Sequence, residues 1–276
     1  MNDMANKDQT QQPTAKLPAS ARVVVIGGGA VGASVLYHLA ELGWTDCVLL
    51  EKNELTSGST WHAAGNCPNY VGSWTIMKIQ SYSTSLYRRL GELVDYPMNY
   101  HVTGAIRLAH SRQRMEEFRH VERMGRQMGV EFTEMSNEEM REIYPFLETH
   151  DLFGGQWDPL DGDIDPAQLT QALAKGARDK GQTIVRFCPV TAVRRENGEW
   201  VLNTPAGEIR CEYVVNAAGY RAAELGRMFG RNVPCVSLAH QYLITEAIPE
   251  LTARDEKLPL LRDPDSSYYL RQEKDG

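Results

Sequence analysis

The first long apolar run in the chain, Val23-Val24-Val25-Ile26, ends abruptly in Gly27-Gly28-Gly29-Ala30-Val31-Gly32. A short β-branched run that stops at glycine predicts a buried strand. Beyond it Val31, Val35, Leu36, Leu39 and Leu42 recur at helical spacing, and Gly43 is placed to close that helix. Cys47-Val48-Leu49-Leu50 then reads as a second buried strand ending on Glu51. Strand, helix and strand in this order predict a βαβ unit and a parallel sheet.

The pattern then changes. Leu55 to Gly65 is a loop of small residues, and Ser73 to Leu93 returns to helical spacing through Ile76, Ile79, Leu86, Leu90 and Leu93. Tyr100 to Ala109 reads as a strand or hairpin, and Ser111 to Met128 as a charged helix that faces solvent. Ser136-Asn137-Glu138-Glu139 has the spacing of a capping box, and Asp165-Pro166 that of an N-cap and first helical residue. That second helix is expected to run to about Lys180-Gly181. Thr183 to Phe187, Val190 to Arg195, Trp200 to Thr204 and Glu208 to Asn216 alternate like a small antiparallel meander, with turns at Gly198 and Pro205-Ala206-Gly207. Val236 to Thr245 and Ser267 to Gln272 read as further strands.

Composition narrows the class. A hydrophobic content of 42% supports a real core, and a net charge of −7 argues against nucleic acid or an anionic membrane as partner. Five scattered cysteines without CxxC spacing point to a reducing compartment and no structural metal. No apolar run approaches the ~20 residues of a membrane span. Residues 1–20 are polar, lack an apolar signal core and contain no arginine, so a disordered tail on a cytoplasmic protein is expected.

The glycines carry the first chemistry. In Gly27-x-Gly29-x-x-Gly32 the first glycine allows the turn, the second lets amides approach a pyrophosphate, and the third lets helix and strand pack closely. Glu51 follows Gly32 by about 20 residues, where a carboxylate meets an adenosine ribose. By itself this unit suits a nicotinamide or a flavin dinucleotide. No second βαβ half follows Glu51, which argues against the nicotinamide reading.

Four segments together resemble the D-amino-acid-oxidase-like FAD enzymes, and most closely the dimethylglycine and sarcosine dehydrogenase family. They are the glycine-rich start through Glu51-Lys52, Ser57-Gly58-Ser59-Thr60-Trp61-His62-Ala63-Ala64-Gly65, Val215-Asn216-Ala217-Ala218-Gly219, and Tyr268-Tyr269-Leu270-Arg271-Gln272-Glu273. The resemblance implies that Ala30, Val31, Glu51, Lys52 and the loop Gly58, Ser59, Thr60, Trp61, His62, Ala63, Ala64, Gly65 and Asn66 contact FAD, with His62 carrying the flavin covalently. It places Val190 against the adenine and Gly219 near the cofactor. Asn66-Cys67-Pro68-Asn69-Tyr70 departs from the family's usual pattern, which leaves the substrate open.

The resemblance further implies oxidative demethylation of a small N-methylated amino acid, by hydride transfer from the methyl carbon to the flavin. Electrons would leave to oxygen or to an electron-transfer flavoprotein. His240 and Tyr268 are the candidates for proton handling and substrate orientation, with Tyr269 as the alternative tyrosine. Arg107 or Arg271 would meet the substrate carboxylate. Asp161-Gly162-Asp163-Ile164-Asp165-Pro166 has a superficial calcium look but lacks the closing Glu, and reads as a turn into a capped helix.

The expected fold is α/β: a discontinuous Rossmann-like FAD-binding domain (21–98 and 151–232) and an α+β substrate domain on a mixed or antiparallel sheet (99–150 and 233–276). Two other functions stay open, a nicotinamide-dependent dehydrogenase and a non-catalytic or incomplete flavin-binding fragment. The family's remaining substrate-domain residues and its folate-binding module have no counterpart in these 276 residues.

Overall fold

The computed structural model describes residues 12–274 and 276; the first eleven residues of the expected tail lie outside the described residues. The first half of the chain runs β1 (Ser20–Ile26), α1 (Ala30–Glu41), β2 (Cys47–Leu50), α2 (Trp74–Leu93), β3 (Tyr100–His101), β4 (Ala105–Ala109), α3 (Arg112–Arg126), β5 (Thr133–Met135) and α4 (Asn137–Ile143). It continues with β6 (Gly154–Asp158), β7 (Asp163–Ile164), α5 (Pro166–Asp179), β8 (Thr183–Val185), β9 (Ala192–Glu196), β10 (Glu199–Thr204) and β11 (Gly207–Asn216). A 3₁₀ turn (Gly219–Arg221) leads into α6 (Ala222–Met228), followed by α7 (Pro249–Thr252), β12 (Leu260–Asp263) and β13 (Tyr268–Leu270).

The chain divides into two compact units. The first holds the described residues up to Ala64, with Leu90–Met98 and Asp165–Ala239; the second holds Gly65–Arg89, Asn99–Ile164 and His240–Gly276. These crossings differ from the expected boundaries. The largest difference is Gly65–Arg89, which was expected in the cofactor domain and lies in the second unit; Gly154–Asp158 moves there too, because it pairs with β4 and β5 in that unit's sheet.

In the first unit six strands lie in the order β8-β2-β1-β11-β10-β9. β8, β2, β1 and β11 are mutually parallel, and β10 and β9 extend the sheet antiparallel. β1 is central and buried on both faces, which is why it reads as a continuous apolar run instead of an alternating one. One face packs Val24, Ile26, Val48, Leu50 and Val185 into a core with Leu202 and Ile209. Each such side chain contributes ~1.5–3 kcal/mol by leaving water. α1 packs on β1 and β2, and α5 packs on α1; α5 buries the small residues Ala172, Ala174, Gly176 and Ala177, and a Cβ on Gly176 would strike the Tyr37 ring of α1.

Several expectations fail here for identifiable reasons. α1 buries Ala33, Leu36 and Tyr37, while Val31 and Leu42 are 68% and 75% exposed, so its packed stripe is rotated from the one the leucines suggested. β8 joins β2 in parallel at the far edge, outside the antiparallel β9–β11 ribbon. Residues 12–19 are docked: Leu17 packs on the core, and Arg186 donates its amide to Thr14 Oγ1 at 3.2 Å.

The second unit is built on a mixed sheet in the order β13-β12-β4-β6-β5, with β12 parallel to β4 and the other pairs antiparallel. β4 and β6 are buried along their length, save the half-buried Trp157, and Ile106 and Leu108 form a core with Met135, Met140 and Leu261. α3 turns Met115, Phe118 and Val121 inward and its charges outward, as expected. The capping box of α4 is present at both bonds, with Ser136 Oγ accepting from the Glu139 amide at 3.2 Å and Glu139 returning a carboxylate oxygen at 2.7 Å. Tyr100 to Ala109 is not a hairpin: β3 pairs with β7 in a separate two-stranded ladder. Val236 to Thr245 forms no ladder among the described residues, and Val236 and Leu243 are 85% and 87% exposed. A strand needs a neighbour for its amides, and no described strand pairs with this one.

Candidate functional site

In the first unit the turn from β1 into α1 is closed by backbone contacts that exclude side chains. Gly27 stands at φ +118° and donates its amide to Leu50 O at 2.9 Å. A Cβ on it would strike the carbonyl of Ala217, and a Cβ on Gly32 would strike the carbonyl of Gly27. Gly29 is the extended N-cap of α1, no side chain caps it, and no acid stands in the first turn. Thr60 Oγ1 accepts from the Ala30 amide at 3.0 Å. Here β1 is flanked by β2, which follows it, and β11, which comes far later, so the turn lies at the point where the strand order reverses. Such a crevice, with a helix N-terminus that no acidic side chain occupies and with glycine walls, suits a pyrophosphate.

Glu51 ties this turn together. Its Oε2 accepts from the Gly28 amide at 2.6 Å and its Oε1 from the Asn53 amide at 2.8 Å. Each oxygen keeps a further lone pair, so the same carboxylate can also accept from a ribose hydroxyl. The residues present therefore fit an adenine dinucleotide. Glu51→Ala leaves two amides without their acceptor, and a loss of about 1–3 kcal/mol is expected in denaturant unfolding, with Glu51→Gln between it and the unchanged chain.

From Lys52 to Ala64 the chain is a succession of turns, anchored by buried Leu55 and by the Thr56 amide on Gly28 O at 3.0 Å. Trp61 and Ala63 donate back to Thr56 O and Thr60 O, both at 3.2 Å. These bonds hold up an exposed pair, Trp61 and His62, with ring centroids 4.5 Å apart. Lys52 and Ser59 are exposed, and Gly58 faces the Tyr220 ring. Gly219, at φ +57°, begins the 3₁₀ turn beside Asn216, whose Oδ1 accepts from the Ala218 amide at 3.2 Å. Val190 lies two residues before β9, not at its start, and packs on the sheet core.

The second unit holds Gly65 and Asn66, where Asn66 forms an isolated bridge with Asp163. Its sheet also carries a buried ionic cluster. Arg107 lies 3.2 Å from Asp161 and 3.9 Å from Asp158, and its guanidinium is 4.5 Å from the Tyr70 ring centroid. Arg262, paired with Arg107 in register, reaches Asp161 at 3.3 Å. Burial pushes the Asp158 carboxyl up, with Asp161 adding to the push and Arg107 opposing it. Burial also pushes the neighbouring Cys67 thiol up to about 12.

Arg107 is thus engaged inside the domain, which removes it as a candidate for the substrate carboxylate. Arg271 is more open, with Asp163 at 3.9 Å and Glu273 as partners. Tyr268 and Tyr269 lie on edge strand β13, half exposed; burial and Asp263 push the Tyr268 hydroxyl up. His240 is exposed on the irregular segment and not on a strand. The Thr60–Ala30 bond and the Asp158–Asp161–Arg107 cluster were missed from sequence. The only signal was the Asp161-Gly162-Asp163 spacing, whose Asp165 does cap α5, accepting from the Ala167 and Gln168 amides at 2.8 and 3.0 Å.

Compared with known proteins, residues 22–276 match the family model described as DAO, FAD dependent oxidoreductase. The Rattus norvegicus protein named dimethylglycine dehydrogenase, mitochondrial, is 44% identical over 257 residues, covering 93% of this chain and 30% of its own length. The Homo sapiens protein named sarcosine dehydrogenase, mitochondrial, is 36% identical over 273 residues, covering 96% of this chain and 29% of its own. Among solved structures, L-proline dehydrogenase from P. horikoshii superposes with a TM-score of 0.80 at 25% identity, covering 94% of this chain and 69% of that one. The chain therefore spans under a third of the length of these two curated relatives.

Proposed function

The chain belongs to the DAO family of FAD-dependent oxidoreductases, and from that premise we propose that it binds FAD and serves the oxidative demethylation of a small N-methylated amino acid, dimethylglycine- or sarcosine-like. The observation that carries this reading is the Gly27–Gly32 turn closed by Glu51 and Thr60, followed directly by a loop that presents His62. The names of the two curated relatives support the substrate class. Gly27, Gly29, Ala30, Val31 and Gly32 would hold the pyrophosphate, Glu51 the ribose, and the loop 58–66 the flavin end. Val190 and Gly219 are proposed as further cofactor contacts.

FAD, when bound, supplies the two-electron oxidation, accepting a hydride from the N-methyl carbon. The chain's own groups do the rest. His62 is proposed as the point of covalent attachment. Tyr268, or Tyr269 beside it, and His240 are proposed to orient the amine and handle its proton, and Arg271 to meet the carboxylate. The electron acceptor is oxygen or an electron-transfer flavoprotein. A reducing, cytoplasmic setting remains part of the proposal, supported by five free cysteines; no described helix is long and apolar enough to cross a membrane.

The test is anaerobic addition of dimethylglycine or sarcosine to the purified full chain, with formaldehyde assayed after air is admitted. Bleaching of the flavin spectrum by either amine, with formaldehyde formed, is the expected result. A bound flavin that neither amine bleaches would leave a flavin-binding protein without this activity. A colourless chain that binds NAD would return the nicotinamide reading.

A further inference from the structure

The Asp161-Gly162-Asp163 segment does something that neither a calcium loop nor a helix cap accounts for. Asp163 lies at the junction of four segments of the second unit. Its main chain pairs on one side with His101 of β3 and on the other with Asn66. Around that bridge Cys67 donates its amide to Gly162 O and Ile164 donates to Gly65 O, both at 2.9 Å. Its side chain is almost wholly buried, with Lys257 Nζ at 2.7 Å, His101 Nδ1 at 3.2 Å and Arg271 Nη1 at 3.9 Å.

Ladders only two residues long do not hold by themselves. What makes this one specific is the convergence of cationic side chains on one carboxylate, together with a residue that only glycine suits. Gly65 stands at φ +73°, and a Cβ there would strike Ile164 O and come within 3.2 Å of Arg271 Nη1. Resting on the flavin reading above, we propose that Asp163 is a positioning residue for the cofactor loop. It fixes Gly65-Asn66-Cys67, the residues that follow His62-Ala63-Ala64 in the chain, and so clamps the downstream end of the loop that presents the imidazole. Lys257 and Arg271 act through Asp163 in this role. Charge matters to it, because an amide at 163 keeps one acceptor for the same cations but loses the charge-assisted part of each bond, which is the stronger part.

The experiment compares Asp163→Asn, Asp163→Glu and Asp158→Asn in the full chain by flavin content per chain, acid-stable flavin fraction and amide exchange. Asp158 is a buried carboxylate of the same unit that does not touch Gly65–Cys67, so its variant reports general loosening. Asp163→Asn is expected to speed exchange of the Cys67 and Ile164 amides at least tenfold and to lower flavin content at least fivefold. Asp163→Glu, which keeps the charge, should retain more flavin, and Asp158→Asn should leave both readouts near those of the unchanged chain. Unchanged exchange in Asp163→Asn, or an equal loss in Asp158→Asn, overturns the proposal. An unchanged chain whose flavin is released by acid sinks covalent attachment alone, and positioning is then read from total flavin content. If the unchanged chain holds no flavin the functional reading fails, and the clamp on Gly65–Cys67 is still decided by amide exchange.

Discussion

Replacing His62 by alanine is expected to move all flavin absorbance out of the acid-precipitated chain and into the supernatant, whereas the unchanged protein keeps it in the pellet. The expectation rests on where the imidazole stands. It is exposed, its ring lies beside that of Trp61, and none of the backbone bonds of Thr56, Trp61 and Ala63 passes through it. The loop is held instead by Leu55 and by the amides of Thr56, Trp61 and Ala63. Removing the ring therefore leaves the fold within about 0.5 kcal/mol of its starting stability. A loss of acid-stable flavin in His62→Ala then reports chemistry and not unfolding. Flavin that the unchanged chain releases on acidification would keep FAD as cofactor and end the special role of His62. The variant should also turn over more slowly, since an imidazole nitrogen joined to the methyl carbon on the flavin's benzenoid ring withdraws electron density and favours the flavin's reduction.

The contrast between this loop and the buried cluster shows what was legible in sequence. Glycines report backbone geometry directly, since only they tolerate φ +118° at Gly27 or the contact of Gly32 with a carbonyl. β1 and β2 were legible because a strand buried on both faces has no polar position to confuse the pattern. Caps were legible at Ser136 and Asp165 because their partners lie within three residues. Everything that failed depends on a distant partner. Whether β8 joins β2 or β9 is decided by residues more than a hundred positions apart, and alternation alone cannot tell them apart. Val236 to Thr245 has the period of a strand, and period describes a side chain's face without supplying a neighbour.

Arg107 failed in the same way. An arginine in a strand of a substrate domain suggests a ligand carboxylate, and only the fold reveals that the carboxylates are its own. Arg107→Ala is expected to lower stability by about 3–5 kcal/mol, the usual cost of breaking a buried pair, or roughly 6–20 °C in melting temperature for a chain of this size. The reason is the partner left behind: Asp161 and Asp158 are fully buried and would lose the guanidinium at 3.2 and 3.9 Å. Burial already outweighs pairing at both ends of the cluster, since it pushes the guanidinium down and the Asp158 carboxyl up. The sign of the pH effect follows. A carboxyl whose folded value lies above its unfolded one disfavours the fold once ionised, and that penalty disappears as pH falls through the raised value. The gap between Arg107→Ala and the unchanged chain should therefore narrow on going from neutral pH into the acid range, and Arg107→Lys should fall between them. Melting curves across that range make the check. A variant that melted normally and showed only a raised KM for the amine would instead place Arg107 on the substrate.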